Sequence, residues 1–308
     1  MKLATKLATS RKLIASCALA IGTMSAGSLS ADIIHRYSFT TDASDSVGTA
    51  NGTLVNAATV SAGQLQLNNP NFSGSTSGQT DPHGYLSLPP SILPSSGSAT
   101  IEEWYTFTGS GFFTESYTFS NGTDAAPPTG GQYLMGTISA PQPATPPGGP
   151  NTGGSHIVES LNGFNPGPET DAFSTTPNIG AVGGGYQDDG ETFMAATVID
   201  GTAGTLSYYL FDVSAGGVGG LQQTVTGIPL SSFNFTNAYL GRSAFSGDNA
   251  TSGSIDEFRI YNNAQSAAAV AADFAAGPNV VVPVPEPASL SVLALGTMGL
   301  MARRRRAC

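Results

Sequence analysis

Residues 253–262 read GSIDEFRIYN, a stretch in which apolar and polar side chains alternate. Strand parity groups Asp256 with Phe258 and places Glu257 beside Arg259. A period of two residues is typical of a β-strand that turns one face to a hydrophobic core. If Phe258 faces that core, Asp256 points inward at the start of the strand. Glu257 and Arg259 then form an exposed ion pair, which contributes little to stability.

The same alternation recurs from Ile33 onward, in short segments separated by Gly, Asn, Asp and Ser. Residues 192–200 and 205–213 predict a hairpin whose second strand is apolar on both faces and therefore covered on both sides. Thirty-nine glycines and a charged fraction of 10% favour an all-β protein with many turns. Residues two positions apart point to the same side of a strand. They include His35, Tyr37 and Phe39, then Leu65 and Leu67, and then Leu86 and Leu88.

Two segments depart from the strand pattern. Residues 265–274 predict one short helix, capped by Ser266 and ended by Gly277, that packs across the end of a sheet. Residues 121–150 are rich in proline and glycine and hold little that could build a core. We interpret them as a long surface insertion, either a recognition loop or tolerated low-complexity sequence.

The charges are distributed unevenly along the chain. Eight of the eleven basic residues lie near the two ends, and between Asp32 and Ala302 three arginines stand against 21 acidic residues. This body therefore carries a formal charge of about −18. It repels phosphate backbones and anionic lipids, which argues against nucleic-acid binding. An acidic surface suits divalent cations, or it serves only solubility.

Both cysteines lie outside this body, Cys17 near the start of the chain and Cys308 at its end. The body therefore has no disulfide, no Cys-ligated zinc and no thiol nucleophile. Its stability must come from the core.

Residues 1–31 have the three parts of a secretory signal peptide: a basic start, an apolar run over 13–21, and small residues before a cleavage site near Ser30 or Ala31. The alternative is an uncleaved anchor. The apolar run is short for that role, because a membrane-spanning helix needs roughly 20 residues.

The end of the chain has three features in fixed order. Residues 279–287 form a proline-rich linker, an apolar segment follows, and the basic cluster closes the segment 288–308. The apolar segment predicts a marginal membrane helix whose arginines stay on the cytoplasmic side. The sorting-type residues are Val284, Pro285, Glu286 and Pro287, with Arg303, Arg304, Arg305 and Arg306.

This order closely resembles the PEP-CTERM sorting signal of Gram-negative bacteria that make exopolysaccharide. The resemblance implies recognition by an exosortase-type processing enzyme and cleavage near the Pro-Glu-Pro motif. It also implies a transient hold in the inner membrane and delivery to the cell envelope or extracellular matrix. The alternative is a plain C-terminal membrane anchor.

Residues 32–278 resemble the LamG-like, concanavalin A-like superfamily. The resemblance is carried by HRYSF at 35–39, TIEEW at 100–104, AYLGRS at 238–243 and GSIDEFRIYN at 253–262. It implies a two-sheet antiparallel jelly-roll β-sandwich, used mostly for binding sugars or proteins and often with a structural calcium. Glu103, where a small or apolar residue is usual, and the long insertion depart from the family pattern.

Asp256 is the most informative carboxylate, because an inward-pointing acid needs backbone N–H groups or a cation to compensate its burial. The resemblance implies calcium between the N-terminal loop and this late strand, with Asp42 and Asp45 as further ligands. Hydrogen bonding alone is the equal alternative.

We expect no catalytic residues. The Glu-x-Asp-x-x-Glu pattern of sandwich hydrolases is absent, and adjacent acids such as Glu102 and Glu103 point to opposite faces of a strand. A carboxylate pair assembled from separate strands is the alternative. His35, His83 and His156 stand alone without zinc-site spacing. Trp104 is predicted to pack in the core, with a sugar-stacking platform as the alternative.

The sequence therefore predicts an exported, non-catalytic binding module that recognises glycan or exopolysaccharide. One alternative is a structural matrix component without a specific ligand. A glycoside hydrolase or lyase is the other, and it lacks its motif.

Overall fold

The computed structural model describes residues 33–69, 83–94, 97–108, 114–121, 132–141, 154–161, 170–173, 190–226, 230–243, 248 and 250–282. The predicted signal peptide and sorting tail lie outside these ranges.

Fifteen strands, one 3₁₀ turn (Leu230–Ser232) and one α-helix occur in the described part of the chain. In chain order they are β1 (Ile33–Tyr37), β2 (Thr53–Val55), β3 (Thr59–Ser61), β4 (Gln64–Leu67), β5 (Tyr85–Leu88), β6 (Ala99–Phe107), β7 (Glu115–Ser120), β8 (Tyr133–Pro141), β9 (Gly154–Leu161), β10 (Thr170–Phe173), β11 (Thr192–Asp200), β12 (Thr205–Asp212), β13 (Val218–Thr226), β14 (Asn237–Leu240), β15 (Gly253–Tyr261) and α1 (Ala267–Ala276).

The strands form two antiparallel sheets. Sheet A runs β13-β12-β11-β6-β15-β4-β3, with β1 also paired to β15, and sheet B runs β10-β9-β8-β7-β14-β5-β2. Each sheet mixes strands from distant parts of the sequence, as expected for a jelly roll. The predicted two-sheet antiparallel sandwich is confirmed.

Strand β15 lies inside sheet A and pairs with three strands. One of its edges pairs with β6 along nearly its whole length. The other edge pairs first with β4, opposite residues 253–255, and then with β1, opposite residues 258–261. The GSIDEFRIYN stretch therefore joins the N-terminal strand to the middle of the sheet.

The main core fills the space between the two sheets. The parities predicted from sequence hold, since Leu65 and Leu67 on β4 and Leu86 and Leu88 on β5 are buried while their neighbours are half-exposed. The largest buried side chains of this core are Tyr37, Phe39, Tyr105, Phe107, Tyr117, Phe119, Phe193, Tyr208 and Phe258.

The predicted hairpin is confirmed as β11 and β12, and the predicted helix as α1, with Ser266 as N-cap and Gly277 at the C-cap. The helix lies on the outer face of sheet A and not across its end. A second apolar cluster forms there, because Val270 is buried and the Phe274 ring stacks on Phe211 at 4.3 Å. The sheet residues of this cluster are Trp104, Met194, Ala196, Val198, Tyr209 and Phe211.

The interpretation of 121–150 as a surface insertion is wrong for residues 132–141. These residues form β8, which pairs with β7 and β9 in sheet B. Side chains 133–138 are buried, since a short run containing Tyr133, Leu134, Met135 and Ile138 lies among the prolines. The remainder of the interval is outside the described residues apart from Asn121.

The prediction that Glu257 and Arg259 form an exposed pair is also wrong. Both side chains are 0% exposed, because α1 and the segment after it cover the outer face of sheet A. Arg259 Nε donates to Glu257 Oε1 at 2.8 Å, and Arg36 on β1 donates to the same oxygen at 2.5 Å. Two arginines from adjacent strands therefore share one carboxylate.

Arg259 also binds the chain beyond the helix. Its Nη2 donates to the carbonyl oxygens of Pro278 and Val280 at 2.5 and 3.0 Å. Its guanidinium lies 4.6 Å from the centroid of the Trp104 ring. One side chain thus links β15 to β6 and to the segment that follows α1.

Two more acids complete this buried charge cluster. Arg259 Nη1 lies 3.8 Å from Glu102 Oε2 and 3.9 Å from Asp273 Oδ1, and the Tyr261 hydroxyl lies within 3.3 Å of both carboxyl groups. Burial and the negative charge of Asp273 raise the pKa of Glu102 well above its usual range. With Glu102 protonated, two arginines face two carboxylates and the cluster is neutral.

Glu103 points the other way, into the core between the sheets. Burial raises its pKa to about 8, although the hydrogen bond from Ser116 lowers it. Ser116 Oγ lies 2.6 Å from Glu103 Oε1 and 3.0 Å from Gly136 O. The Ser116 hydroxyl has one hydrogen for these two acceptors, so it stabilises a Glu103 carboxylate only in part. Burial outweighs this hydrogen bond and favours the neutral carboxyl group.

We predict that Arg259→Met lowers the free energy of unfolding by about 3–5 kcal/mol, because it removes the buried cation that faces both Glu257 and Asp273 and leaves only Arg36 bound to Glu257. Arg242→Met is the matched control, since Arg242 also lies over aromatic rings but is half-exposed, and it should cost only about 1 kcal/mol. Urea denaturation of both variants measures the difference. Equal losses would show that the cluster does not hold the fold together.

We predict that Glu103 makes the fold less stable as pH rises. Its folded pKa of about 8 exceeds the unfolded value of 4.5, so its contribution is full below pH 4.5 and is lost progressively up to pH 8. The loss approaches about 1.4 kcal/mol for each pH unit in that window. Glu103→Gln removes this dependence, so the variant should gain stability over the wild type between pH 5 and 8.5 in urea titrations, at about that rate. Parallel pH profiles for the two proteins would contradict the prediction.

Candidate functional site

Two half-exposed tyrosines lie side by side on the outer face of sheet B. On β5, Leu86 and Leu88 face the core, so Tyr85 faces outward, and on β14 the alternation does the same for Tyr239. The strands pair with Tyr239 opposite Ser87, which puts Tyr85 at the diagonal position. The ring centroids are 5.3 Å apart at 80°, an edge-to-face contact.

Arg242 lies over both rings. Its guanidinium carbon is 4.7 Å from the centroid of Tyr85 and 4.9 Å from that of Tyr239. These distances are within the range of cation–π attraction, which orients the guanidinium plane. We call Tyr85, Tyr239 and Arg242 the tyrosine platform.

A glycine turn brings Arg242 back over the strand. Gly241 has φ +79°, and a Cβ at this position would lie 2.5 Å from Leu67 Cδ1. Its N–H donates to Ser116 O at 2.8 Å. Only glycine fits this turn without strain, so the sequence Leu240-Gly241-Arg242 positions the guanidinium.

The chain after Arg242 is fixed by a buried acid. Ser243 Oγ donates to Asp248 Oδ2 at 2.5 Å, and the carboxyl groups of Asp248 and Glu115 interact. Burial raises the pKa of Asp248 to about 7, although these two contacts lower it. This is a carboxyl pair from separate segments, but Glu115 is 0% exposed. A substrate cannot reach Glu115 in this arrangement.

The N-terminal loop holds Asp45 in a hydrogen-bond network. His35 Nδ1 lies 2.6 Å from Asp45 Oδ2, and backbone amides of Arg36, Val47, Gly48 and Ala50 donate to the carboxylate at 2.9–3.1 Å. Burial alone would raise the pKa of Asp45, but these hydrogen bonds outweigh it and lower the pKa to about 2. The network satisfies the carboxylate without a cation.

The inward orientation predicted for Asp256 is wrong. A β-bulge between Ile255 and Glu257 makes Asp256 the extra residue of β15, so it leaves the parity of Phe258 and is only half-buried. Burial raises its pKa, and a hydrogen bond with Gln64 lowers it.

Asp42 is exposed, and its carboxylate accepts from the Ser44 amide at 2.9 Å. In the described ranges, no three or more His, Cys, Asp or Glu side chains are grouped so that they could hold a metal ion. Calcium binding by Asp42, Asp45 and Asp256 stays a prediction.

Trp104 packs in the outer cluster of sheet A at 2% exposure, so the core prediction for it is confirmed. The prediction that the histidines stand alone can be compared with the structure only for His35 and His83, since the His156 side chain is outside the described residues. Sequence reasoning missed the tyrosine platform. The available signal was the outward parity of Tyr85 and the tyrosine three residues before Arg242.

Solved structures with a similar fold include domains of carbohydrate-active proteins. Domain 4 of AbnA, a GH43 extracellular arabinanase from Geobacillus stearothermophilus, solved with arabinotriose, aligns with TM-score 0.51 and 19% identity, over 79% of this chain and 98% of that one. The CBM40 of the Ruminococcus gnavus IT-sialidase, bound to α2,6-sialyllactose, aligns with TM-score 0.41 and 19% identity, over 57% and 82%. At these identities the likeness is one of fold.

A second comparison, with protein-family models, finds a match at the end of the chain. Residues 283–306 match the PEP-CTERM protein-sorting motif, which confirms the sequence resemblance and marks the chain for export and surface sorting in bacteria. No curated protein matches the chain. Over the ranges that the structure describes, no helix has both the length and the apolar character needed to cross a membrane.

We predict that Gly241→Ala costs more stability than Gly204→Ala. Both glycines have positive φ, but a Cβ at Gly204 meets nothing within 4 Å, so only backbone strain of about 1 kcal/mol is expected there. At Gly241 the overlap with Leu67 adds to that strain, for a total of about 2–3 kcal/mol. Urea denaturation of both variants tests this. Equal losses of unfolding free energy would show that overlap with Leu67 does not add to the strain.

Proposed function

We propose that this chain is a surface-sorted module that binds glycan without acting on it, and that the tyrosine platform is the binding site. An exosortase-type enzyme cleaves near Glu286, after a transient hold in the inner membrane of a Gram-negative bacterium. The product stays in the envelope or the extracellular matrix.

The platform carries this proposal because it combines two features of sugar recognition. The two half-exposed rings leave part of their apolar surface to solvent beside Arg242, where a pyranose or furanose ring can pack. The guanidinium of Arg242 places a positive charge next to that surface, which attracts sugar hydroxyl or carboxylate oxygens. A site of this composition binds and orients, since it contains no acid–base pair to cleave a glycosidic bond.

The likeness of fold to domain 4 of AbnA, which was solved with bound arabinotriose, supports the proposal. So does the sorting motif, because a protein delivered to a polysaccharide-rich surface gains from holding that matrix. The competing hypothesis, a structural component without a ligand, assigns no role to the platform beyond packing.

We predict that native gels containing a polysaccharide slow the migration of residues 32–282, a range that keeps the Val280 contact of Arg259. Dextran, xylan, arabinan, glucomannan and alginate are the probes, run with calcium and with EDTA. Tyr239→Ala and Arg242→Met should each raise the Kd obtained from the retardation about tenfold, because each removes one of the three side chains of the platform.

Leu221→Ala is the control, since Leu221 is 53% exposed on β13 of sheet A. It should migrate like the wild type. Retardation by no probe would overturn the proposal, and so would retardation that Tyr239→Ala leaves intact. Release of reducing sugar from any probe would restore the hydrolase alternative.

A further inference from the structure

A second concave site opens where β5 ends and β14 begins. It is a cleft of about 550 Å³. Its size is within the range of small-ligand sites. We call it the phenylalanine cleft, and it is lined by Pro90, Ser91, Leu93, Pro94, Leu230, Phe233, Asn234 and Phe235.

The walls of this cleft are held in place by the fold. The rings of Phe233 and Phe235 stack at 4.8 Å and 18°, and Phe235 also contacts the core residue Phe119 at 6.1 Å. On the opposite wall, Ile92 is buried and its N–H donates to Pro89 O at 3.2 Å. The cleft is therefore preformed, which spares a ligand the entropic cost of ordering it.

The cleft is uncharged in a strongly acidic protein. None of its lining residues is ionisable, and residues 213–241 contain no Asp, Glu, Lys, Arg or His. The body as a whole carries about −18. An anionic group would be repelled as it approached, and a cationic group would find no partner in the lining. The site suits a neutral ligand with apolar faces and hydroxyl groups for Ser91 and Asn234.

The cleft is lined by the segments that adjoin the two strands carrying Tyr85 and Tyr239. Tyr85 opens β5 and the Pro90 wall follows its end, while Phe235 precedes β14 and Tyr239 lies near its end. Phe235 lies two residues before β14 and Tyr239 is four positions after it, so their backbones are at most about 13 Å apart at 3.3 Å per residue. A chain molecule of several sugar units is long enough to reach both sites.

We propose that the phenylalanine cleft is a second subsite, which takes a neutral stretch of the same glycan chain that the tyrosine platform binds. This inference rests on the proposed function, and it specifies the ligand class. The ligand is a linear polymer recognised along its length, and its cleft-bound units carry no charge.

The test is isothermal titration calorimetry with oligosaccharides of two to eight units. They are prepared from whichever neutral probe, dextran, xylan, arabinan or glucomannan, retards the wild type most. For the wild type, the longest oligomers should bind about tenfold more tightly than the disaccharide, because they reach both subsites. Phe233→Ala should lose this gain and still bind the disaccharide.

Ser91→Trp is a second variant that fills the cleft and leaves the phenylalanine pair intact, and Leu221→Ala is the matched surface control. A length-dependent gain that survives in both cleft variants would overturn the subsite and leave the platform standing. Loss of disaccharide binding in Ser91→Trp, with Tyr239→Ala unaffected, would move the primary site to the cleft and overturn the proposed function. A change of sedimentation coefficient in the cleft variants would assign the cleft to a second copy of this chain instead.

Discussion

The sandwich depends on one buried cation. Arg259 shares the carboxylate of Glu257 with Arg36, lies against Trp104, and binds backbone carbonyls beyond α1. A guanidinium buried in this way costs a large desolvation free energy unless nearby carboxylates and carbonyl oxygens compensate it, so the cluster tolerates few alternative arrangements. It fixes where β1 pairs, where the helix lies and where the chain leaves the sheet.

Sequence parity predicted the inner layer of the fold correctly, because inward residues such as Leu65 and Leu86 alternate with polar ones. It failed for Glu257 and Arg259, since a period of two cannot show that a distant helix covers the second face. It failed for Asp256 because one bulged residue shifts parity by one place. Parity indicates that Tyr85 faces outward, but it does not show that Tyr85 lies beside Tyr239. That contact depends on the pairing of β5 with β14, which are about 150 residues apart in sequence.

The three arginines of the body occupy two different environments. Arg36 and Arg259 both bind Glu257, so their charge is used to hold the fold. Arg242 is placed by a glycine turn over two tyrosines on the opposite sheet. In a body of about −18, binding of a polar ligand at sheet B is the role that we propose for Arg242.

The contacts of Arg259 also bear on how processing affects the fold. Its last backbone partner is Val280, and the sorting motif begins at residue 283. Cleavage near Glu286 would therefore leave every described contact of the charge cluster within the mature protein. The described part of the fold ends at residue 282, directly before the sorting motif.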